Sequence, residues 1–565
     1  MTYIPYPTPA MTNAAFYFEE DAYHIGGAQI VGRQAAGNGF LRGFARHADV
    51  DAFWGYSPSQ EGAAAFTRFV RPLRPDRPVH EITPLTAPRL AEVGCLFYPG
   101  PDLASLAWRR EFLGQASFSL CGVNHTISTR RVMNAVPELL HAPLEPWDAL
   151  VCTSTASRDV ITRLLGAQAE WLGARFGVRE PRMPQLPVIP LGVDCDTYVF
   201  TADDRDRARQ TLGIGVDDVV VLYLGRLSLR AKAHPFAMYR ALALASAGRR
   251  VVLIECGRFA HDRAAAAFAE GRTVLCPDIG YRRVDGLDDA ARRNAWAAAD
   301  VFCSLSDNIQ ETFGLTPIEA MAAGLPAVVS DWDGYRDTVR DGVDGFRIPT
   351  LMPMVGAGVG LAYRHEIEID EYNQYVGLVG QFTAVDIDAT ARAFRTLFDD
   401  AGLRRKIGAA GRQRAREVFD WQNVVAAYRS LWSVLAQERA RHAKDAPRRW
   451  AARRDPFAVF GSFASAQLGA DDLISRGSLD PREVARIRAL GLFAFASHAL
   501  PPDEMLERLV ARIPADGSIR VRSILAELPQ HEQAWIACAV VWLAKIGAVR
   551  VSRQPASLSP RPASG

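Results

Sequence analysis

Glu311-Thr-Phe-Gly-Leu-Thr-Pro-Ile-Glu319-Ala-Met-Ala-Ala-Gly324-Leu-Pro326 is the stretch on which the reading of this chain turns. It follows a short apolar run, Val301–Ser304, and reads as a loop that opens a helix. Thr316, Pro317 and Glu319 have the order of an N-cap, a first-position proline and the acid of a capping box. Gly324 and Pro326 then close the helix after about two turns. The amides of Phe313, Gly314 and Leu315 are therefore expected at a helix N-terminus, where backbone N–H groups and the helix dipole favour an anion. Glu311 stands in the loop just before them. A strand followed by a loop and a helix of this kind is the unit of a parallel α/β sheet.

The same alternation runs outward from about residue 14 to 435. Strands are expected at 14–18, 51–54, 95–98, 118–123, 149–153 and 188–190. A second set is expected at 219–224, 251–256, 273–276, 301–304, 327–330 and 345–348. Their near-continuous apolar character predicts sheets covered by helices on both faces. The fold class is α/β: two doubly wound, Rossmann-like domains, 1–200 and 201–436, facing a cleft. Ligands of such sheets bind beyond the carboxyl ends of the strands. Residues 386–435 turn helical, with Trp421, Tyr428, Leu431 and Leu435 at helix spacing. A basic linker is expected at 437–455, a mostly helical, loosely winged-helix-like module at 456–553, and a Pro/Ser-rich disordered tail at 554–565. In the module, helices at 503–513, 521–528 and 531–546 precede a strand at 548–552, with Phe457, Phe460 and Phe463 in the core. Its last helix has one Lys, against the clustered Arg and Lys of a nucleic-acid reader. Packing, protein interaction or oligomerisation suits it better.

Composition narrows the function classes. The 565 residues are 49% hydrophobic and 23% charged, as in soluble multidomain proteins. The longest apolar run, 536–544, is too short to cross a bilayer. Pro5, Pro7 and Pro9 stand where a secretory leader would carry a basic start and apolar core. Net charge is +2, so no global field recruits nucleic acid. The eight cysteines form no C-x-x-C pair, which fits a reduced, cytoplasmic setting without a zinc site. Arg71, Arg74 and Arg77 alternate with Pro72, Pro75 and Pro78. A polyproline-type turn would align the guanidiniums toward an anionic acceptor or the inner face of a membrane. A solvated loop is the competing reading.

Two further loops follow strands. In Gly225-Arg226-Leu-Ser-Leu-Arg230-Ala-Lys232, Gly225 lets the chain turn and the cations then project over the cleft, where they suit a leaving nucleoside diphosphate. In Gly122-Val-Asn124-His125-Thr126, a histidine stands at the end of an apolar strand. Taken with the Glu311–Glu319 string, these residues resemble the retaining GT-B glycosyltransferases of family 4 (group 1) over about residues 14–435. The resemblance implies that Glu311 holds donor-sugar hydroxyls and Glu319 the nucleotide ribose. Arg226 and Lys232 then replace a metal at the diphosphate, and His125 lies near the transferred sugar. It also implies that Gly26-Gly27 admit the donor phosphates, with Gln29 where an acidic residue is common, and that Asp194 lies near the hinge. Five residues separate Arg226 from Lys232 where the family has four, which leaves open a one-residue bulge or Arg230 in place of Lys232. The partners implied are a nucleotide-sugar donor and a glycan or lipid-linked acceptor, with no metal or other cofactor.

Three Asp-x-Asp pairs (Asp331/Asp333, Asp194/Asp196, Asp386/Asp388) keep a metal-dependent transferase as a rival. A non-catalytic GT-B relative whose last module binds a partner or DNA is a second rival, and a nucleotide-sugar epimerase is a third.

Overall fold

The computed structural model describes residues 12–23, 32–178, 181–259, 261–442 and 451–553. The chain forms two compact units, Met1–Trp450 and Ala451–Gly565. The first unit holds two parallel sheets. One comprises β1 (Ala15–Tyr17), β2 (Phe53–Tyr56), β3 (Val79–Ile82), β4 (Cys95–Tyr98), β5 (Ser119–Val123) and β6 (Ala149–Val151), in the order β3-β2-β1-β4-β5-β6. The other comprises β7 (Val219–Leu224), β8 (Val251–Gly257), β9 (Gly280–Asp285), β10 (Val301–Ser304), β11 (Ala327–Ser330) and β12 (Gly345–Ile348), in the order β12-β11-β10-β7-β8-β9. Counted from its own first strand, each sheet has the doubly wound order, which reverses between β1 and β4 and between β7 and β10. Two such domains about a cleft make the GT-B architecture.

Both faces of each sheet are covered, and β7 shows why its sequence is apolar throughout. Val220 and Leu222 enter one core cluster, whereas Val219, Val221 and Tyr223 enter the cluster on the opposite face. The strands missed from sequence, β3 and β9, are edge strands. Only Ile82 of β3 and Val284 of β9 are buried, so partial exposure leaves them polar. Residues 273–276, expected as a strand, instead end the helix Asp262–Leu275, and 188–190 contributes only an isolated bridge to Cys152. Between β12 and residue 386 lies an element not foreseen. The two-stranded pair β13 (Thr350–Leu351) and β14 (Ala384–Val385) encloses helices Val359–Glu366 and Tyr372–Gln381.

The helix Trp421–His442 returns to the first domain. Its Trp432, 1% exposed, and Tyr428 join Phe16, Phe40, Phe44 and Phe97 in one core. The helix continues six residues into the expected linker. There Arg439 donates to Ser119 Oγ at 2.8 Å and to the Gly94 carbonyl, so it is a structural cation. The rest of the expected linker and all of the tail fall largely on 443–450 and 554–565, outside the described residues. Arg74 and Arg77 are also committed. Arg74 binds Asp76 and the carbonyls of Ala45 and Ala48, and Arg77 faces Asp49, Asp51 and Asp76. The segment is a run of turns, and no aligned stripe of cations results.

The second unit contains an antiparallel sheet, ordered β16 (Ile519–Arg520), β15 (Leu473–Arg476), β17 (Val549–Ser552), with helices Asp503–Arg512, Val521–Leu525 and Gln530–Lys545. Ile536, Ala539, Val540, Trp542 and Leu543 of the last helix pack within the unit's own core. Phe457, Phe460 and Phe463 do not. They are 67%, 53% and 84% exposed, because their short helical turns lie outside the sheet-and-helix core. Among the described residues no helix is long and apolar enough to cross a membrane.

Candidate active site

The loops after β7 and β10 meet at the point where the second sheet reverses. Gly225, at φ +155°, ends β7 in a conformation suited to glycine. Ser228 Oγ then accepts from the amides of Arg230 and Ala231 at 3.3 and 3.1 Å, folding the extra residue into a turn. That turn brings Lys232 Nζ to 2.6 Å from Glu311 Oε2. Arg230 instead points outward toward Glu371 at 3.9 Å, its side chain 58% exposed. Arg226 donates to Gln310 Oε1 at 2.8 Å. Two cations, Glu311 and its neighbour Gln310 thus share one corner of the cleft.

The helix after this corner runs Leu315–Ala323, and its N-cap is Gly314, not Thr316. Gly314 has φ +82°, and a Cβ there would run into the Tyr335 ring, so only glycine admits the early entry. Pro317 becomes the third helical residue, where its missing N–H still costs no intrahelical bond. No side chain caps the helix, and its first turn contains no acid. Among the described residues the amides of Phe313, Gly314 and Leu315 donate to nothing. A phosphate is the kind of group that satisfies them. The Phe313 ring is buried, 6.2 Å from Phe419, so only its backbone serves the cleft.

Glu319 lies five residues into the helix and belongs to no capping box. Burial raises its carboxyl above the usual carboxylate range, against the opposing influence of the Tyr198 hydroxyl and of Arg292. Gly324, at φ +77°, closes the helix as expected.

Across the cleft, His125 follows β5 and lines a small cavity with Phe97, Pro99, Leu191 and Trp421. Its carbonyl accepts from Thr312 Oγ1 at 2.8 Å, so it stands one residue from Glu311 across the domain boundary. Gly26, Gly27 and Gln29 fall outside the described residues. Asp194 pairs with Arg46 of the first domain.

The Asp-x-Asp pairs have other engagements. Asp331 lies 3.6 Å from both Arg336 and Arg347, Asp196 pairs with Arg416, and Asp386 caps the helix Ile387–Asp399. Among the described residues no three His, Cys, Asp or Glu side chains gather as metal ligands do. Asp333 takes φ +48°, a left-handed conformation that Asp tolerates better than most residues. Burial first, and then the Glu311 charge, raise its carboxyl well above the usual range.

Sequence reasoning missed several polar groups that frame this corner. Asn308 Nδ2 donates to the Arg230 carbonyl at 2.6 Å and to the Val376 carbonyl at 3.2 Å, tying the β7 loop to the element at 350–385. Tyr372 of that element meets Ser128 at 2.9 Å. Asp307, 7% exposed, accepts from the His234 amide at 3.2 Å. Asp307 and Asn308 sit in a loop without periodicity and Tyr372 opens a short helix, and only the tertiary neighbours give them meaning.

Asp307 yields a pH prediction. Burial pushes its carboxyl up to about 7. The folded chain then holds this proton more tightly than the unfolded chain, so stability falls as pH rises from about 4 to 7, by on the order of 1 kcal/mol per pH unit. Asp307→Asn removes that loss. Thermal unfolding across pH should show the variant gaining on the parent up to pH 7, with the gap constant above it. A gap independent of pH would mean that Asp307 ionises normally.

The fold is GT-B, and this corner lies at the switch point of its second sheet. Residues 204–351 match the family model of Glycosyl transferases group 1. A D-inositol 3-phosphate glycosyltransferase of Xylanimonas cellulosilytica is 29% identical over 225 residues, 38% of this chain and 47% of that protein. The protein of the same name from Mycobacterium marinum is 28% identical over 290 residues, 48% of this chain and 51% of its own length. The chain spans about half the length of the curated relatives it matches. Among solved structures, Anabaena HepE in complex with UDP is similar at 17% identity and a TM-score of 0.48, covering 75% of this chain and 100% of that one. The family match lies within the second domain.

Proposed function

We propose that this chain is a retaining, metal-independent glycosyltransferase of the family 4 type, transferring a sugar from a nucleotide-sugar donor to an acceptor hydroxyl. One observation carries the reading: Lys232 holds Glu311 at 2.6 Å, with Arg226 on the neighbouring Gln310, at the switch point of the second sheet. The donor diphosphate lies on the amides of Phe313, Gly314 and Leu315, with Arg226 and Lys232 beside it. As the bond from sugar to phosphate breaks, charge gathers on the leaving diphosphate, and these fixed donors stabilise it. Glu311 accepts from sugar hydroxyls. Glu319 and Tyr198 receive the ribose, and His125 faces the transferred sugar from the first domain. The acceptor is a glycan, a lipid-linked hydroxyl or a phosphorylated polyol. The relatives' name makes D-inositol 3-phosphate the first acceptor to try. A role in cell-surface polysaccharide or glycoconjugate synthesis, in the cytoplasm or at the inner face of the membrane, fits this chemistry.

Calorimetry with UDP, GDP and ADP, followed by hydrolysis and transfer assays with the matching sugar donors, tests the reading. Binding of one diphosphate and formation of a glycoside are the expected results. Release of a free sugar epimer would favour the epimerase, and no binding at all would sink the proposal. Transfer is also expected to survive EDTA, because Arg226, Lys232 and the helix amides supply the positive field. Loss with chelator and recovery with Mn²⁺ would overturn metal independence.

A further inference from the structure

Glu311 belongs to the second domain, yet the residue after it is held by the first. Ser154 ends the β6 loop and caps the helix Thr155–Phe176, its Oγ accepting from the Ser157 amide at 3.0 Å. A hydroxyl has one proton to give. Here it goes across the domain boundary to the Thr312 carbonyl, at 2.7 Å. Thr312 returns its own hydroxyl to the His125 carbonyl. Alongside, Thr155 gives its amide and hydroxyl to the Asp337 carboxylate at 2.5 and 2.7 Å. Ser154 is fully buried and Thr312 is 6% exposed, so water cannot substitute for either partner.

We propose that Ser154 is a positioning residue: by fixing the Thr312 carbonyl from the opposite domain, it sets where the Glu311 carboxylate stands against the donor sugar. The inference rests on the reading of Glu311 given above. It makes the donor-side geometry depend on how the first domain is seated, although Ser154 touches no substrate.

The helix cap is the competing explanation, and Ser157 separates the two. Ser157→Ala removes its half of the capping box while leaving the Ser154–Thr312 bond in place. In the full chain, Ser154→Ala is expected to lower kcat on the order of 10- to 100-fold, as misplacement of a reacting group does. Donor KM and calorimetric diphosphate affinity should stay within about twofold. Ser154→Thr, which keeps the hydroxyl, should recover most of kcat, and Ser157→Ala should lower melting temperature but not kcat. Full kcat in a folded Ser154→Ala variant would overturn the inference alone, as would equal kcat losses in Ser154→Ala and Ser157→Ala. A parent chain that turns over no nucleotide-sugar would overturn the reading of Glu311 and this inference with it.

Discussion

Glu311→Gln is expected to lose on the order of 100- to 1,000-fold in kcat, while nucleoside diphosphate affinity changes by less than about threefold. The carboxylate, 12% exposed, is positioned by Lys232 rather than by solvent. Glutamine keeps the shape but loses the negative charge and one acceptor, both of which matter most as positive charge develops on the sugar. Of the proposed diphosphate contacts, Arg226 and the three amides are untouched, and Lys232 loses its ion pair with Glu311 but keeps its charge beside them. Glu319→Gln should divide the effect the other way. Its proposed partner is the nucleotide ribose, so nucleotide affinity falls first. It caps no helix, so little stability is lost at the helix start. Kinetics of both variants beside diphosphate calorimetry check this. Equal affinity losses in the two would mean that both glutamates serve the nucleotide.

The second large effect is expected on stability. Trp432→Ala should cost roughly 3–5 kcal/mol, the usual range for removing a buried tryptophan. Trp432 lies 5.6 Å from Phe44 and 6.4 Å from Phe16 and Phe97, on a helix that follows the second domain in sequence. The first domain's core is therefore incomplete until residues 421–442 have folded back onto it. A chain ending at 420 should fail to yield a cooperatively unfolding first domain. A chain ending at 450 should fold, bind donor and hydrolyse it, because the second unit has its own core. Denaturant titration of the variant and both truncations decides the matter. A Trp432→Ala loss below about 1 kcal/mol would show that the helix rests loosely on the first sheet.

How much of this was legible in sequence depended on burial. Strands β4, β7, β10 and β11 read correctly to the residue because sheet interiors demand unbroken apolar runs, and the edge strand β12 read correctly from its own Phe346 and Ile348. The edge strands β3 and β9 lack that demand and carry His, Glu, Arg and Asp, so they read as loops. The helix after Glu311 was legible, but its first residue was not. The Thr-Pro pair suggested a start at Thr316, whereas the positive φ of Gly314 let the chain enter two residues earlier. Phe457, Phe460 and Phe463 show the converse limit: aromatic residues at regular spacing need a surface to cover, and their own unit offers none.

The sequence by itself determined the class of fold, the position of the helix after Glu311 and the two glutamates on either side of its start. Each is a local matter, set by apolar runs, turn residues and the dipole of a short helix. Only the tertiary structure decided that Lys232 and not Arg230 meets Glu311, because that contact depends on a turn around Ser228 and on where Glu311 lies in space. It alone brought Ser154 to Thr312, 158 residues away. A hydrogen bond across a domain boundary leaves no periodic trace along the chain, since a serine that caps a helix looks the same in sequence whether or not its proton reaches a carbonyl of another domain.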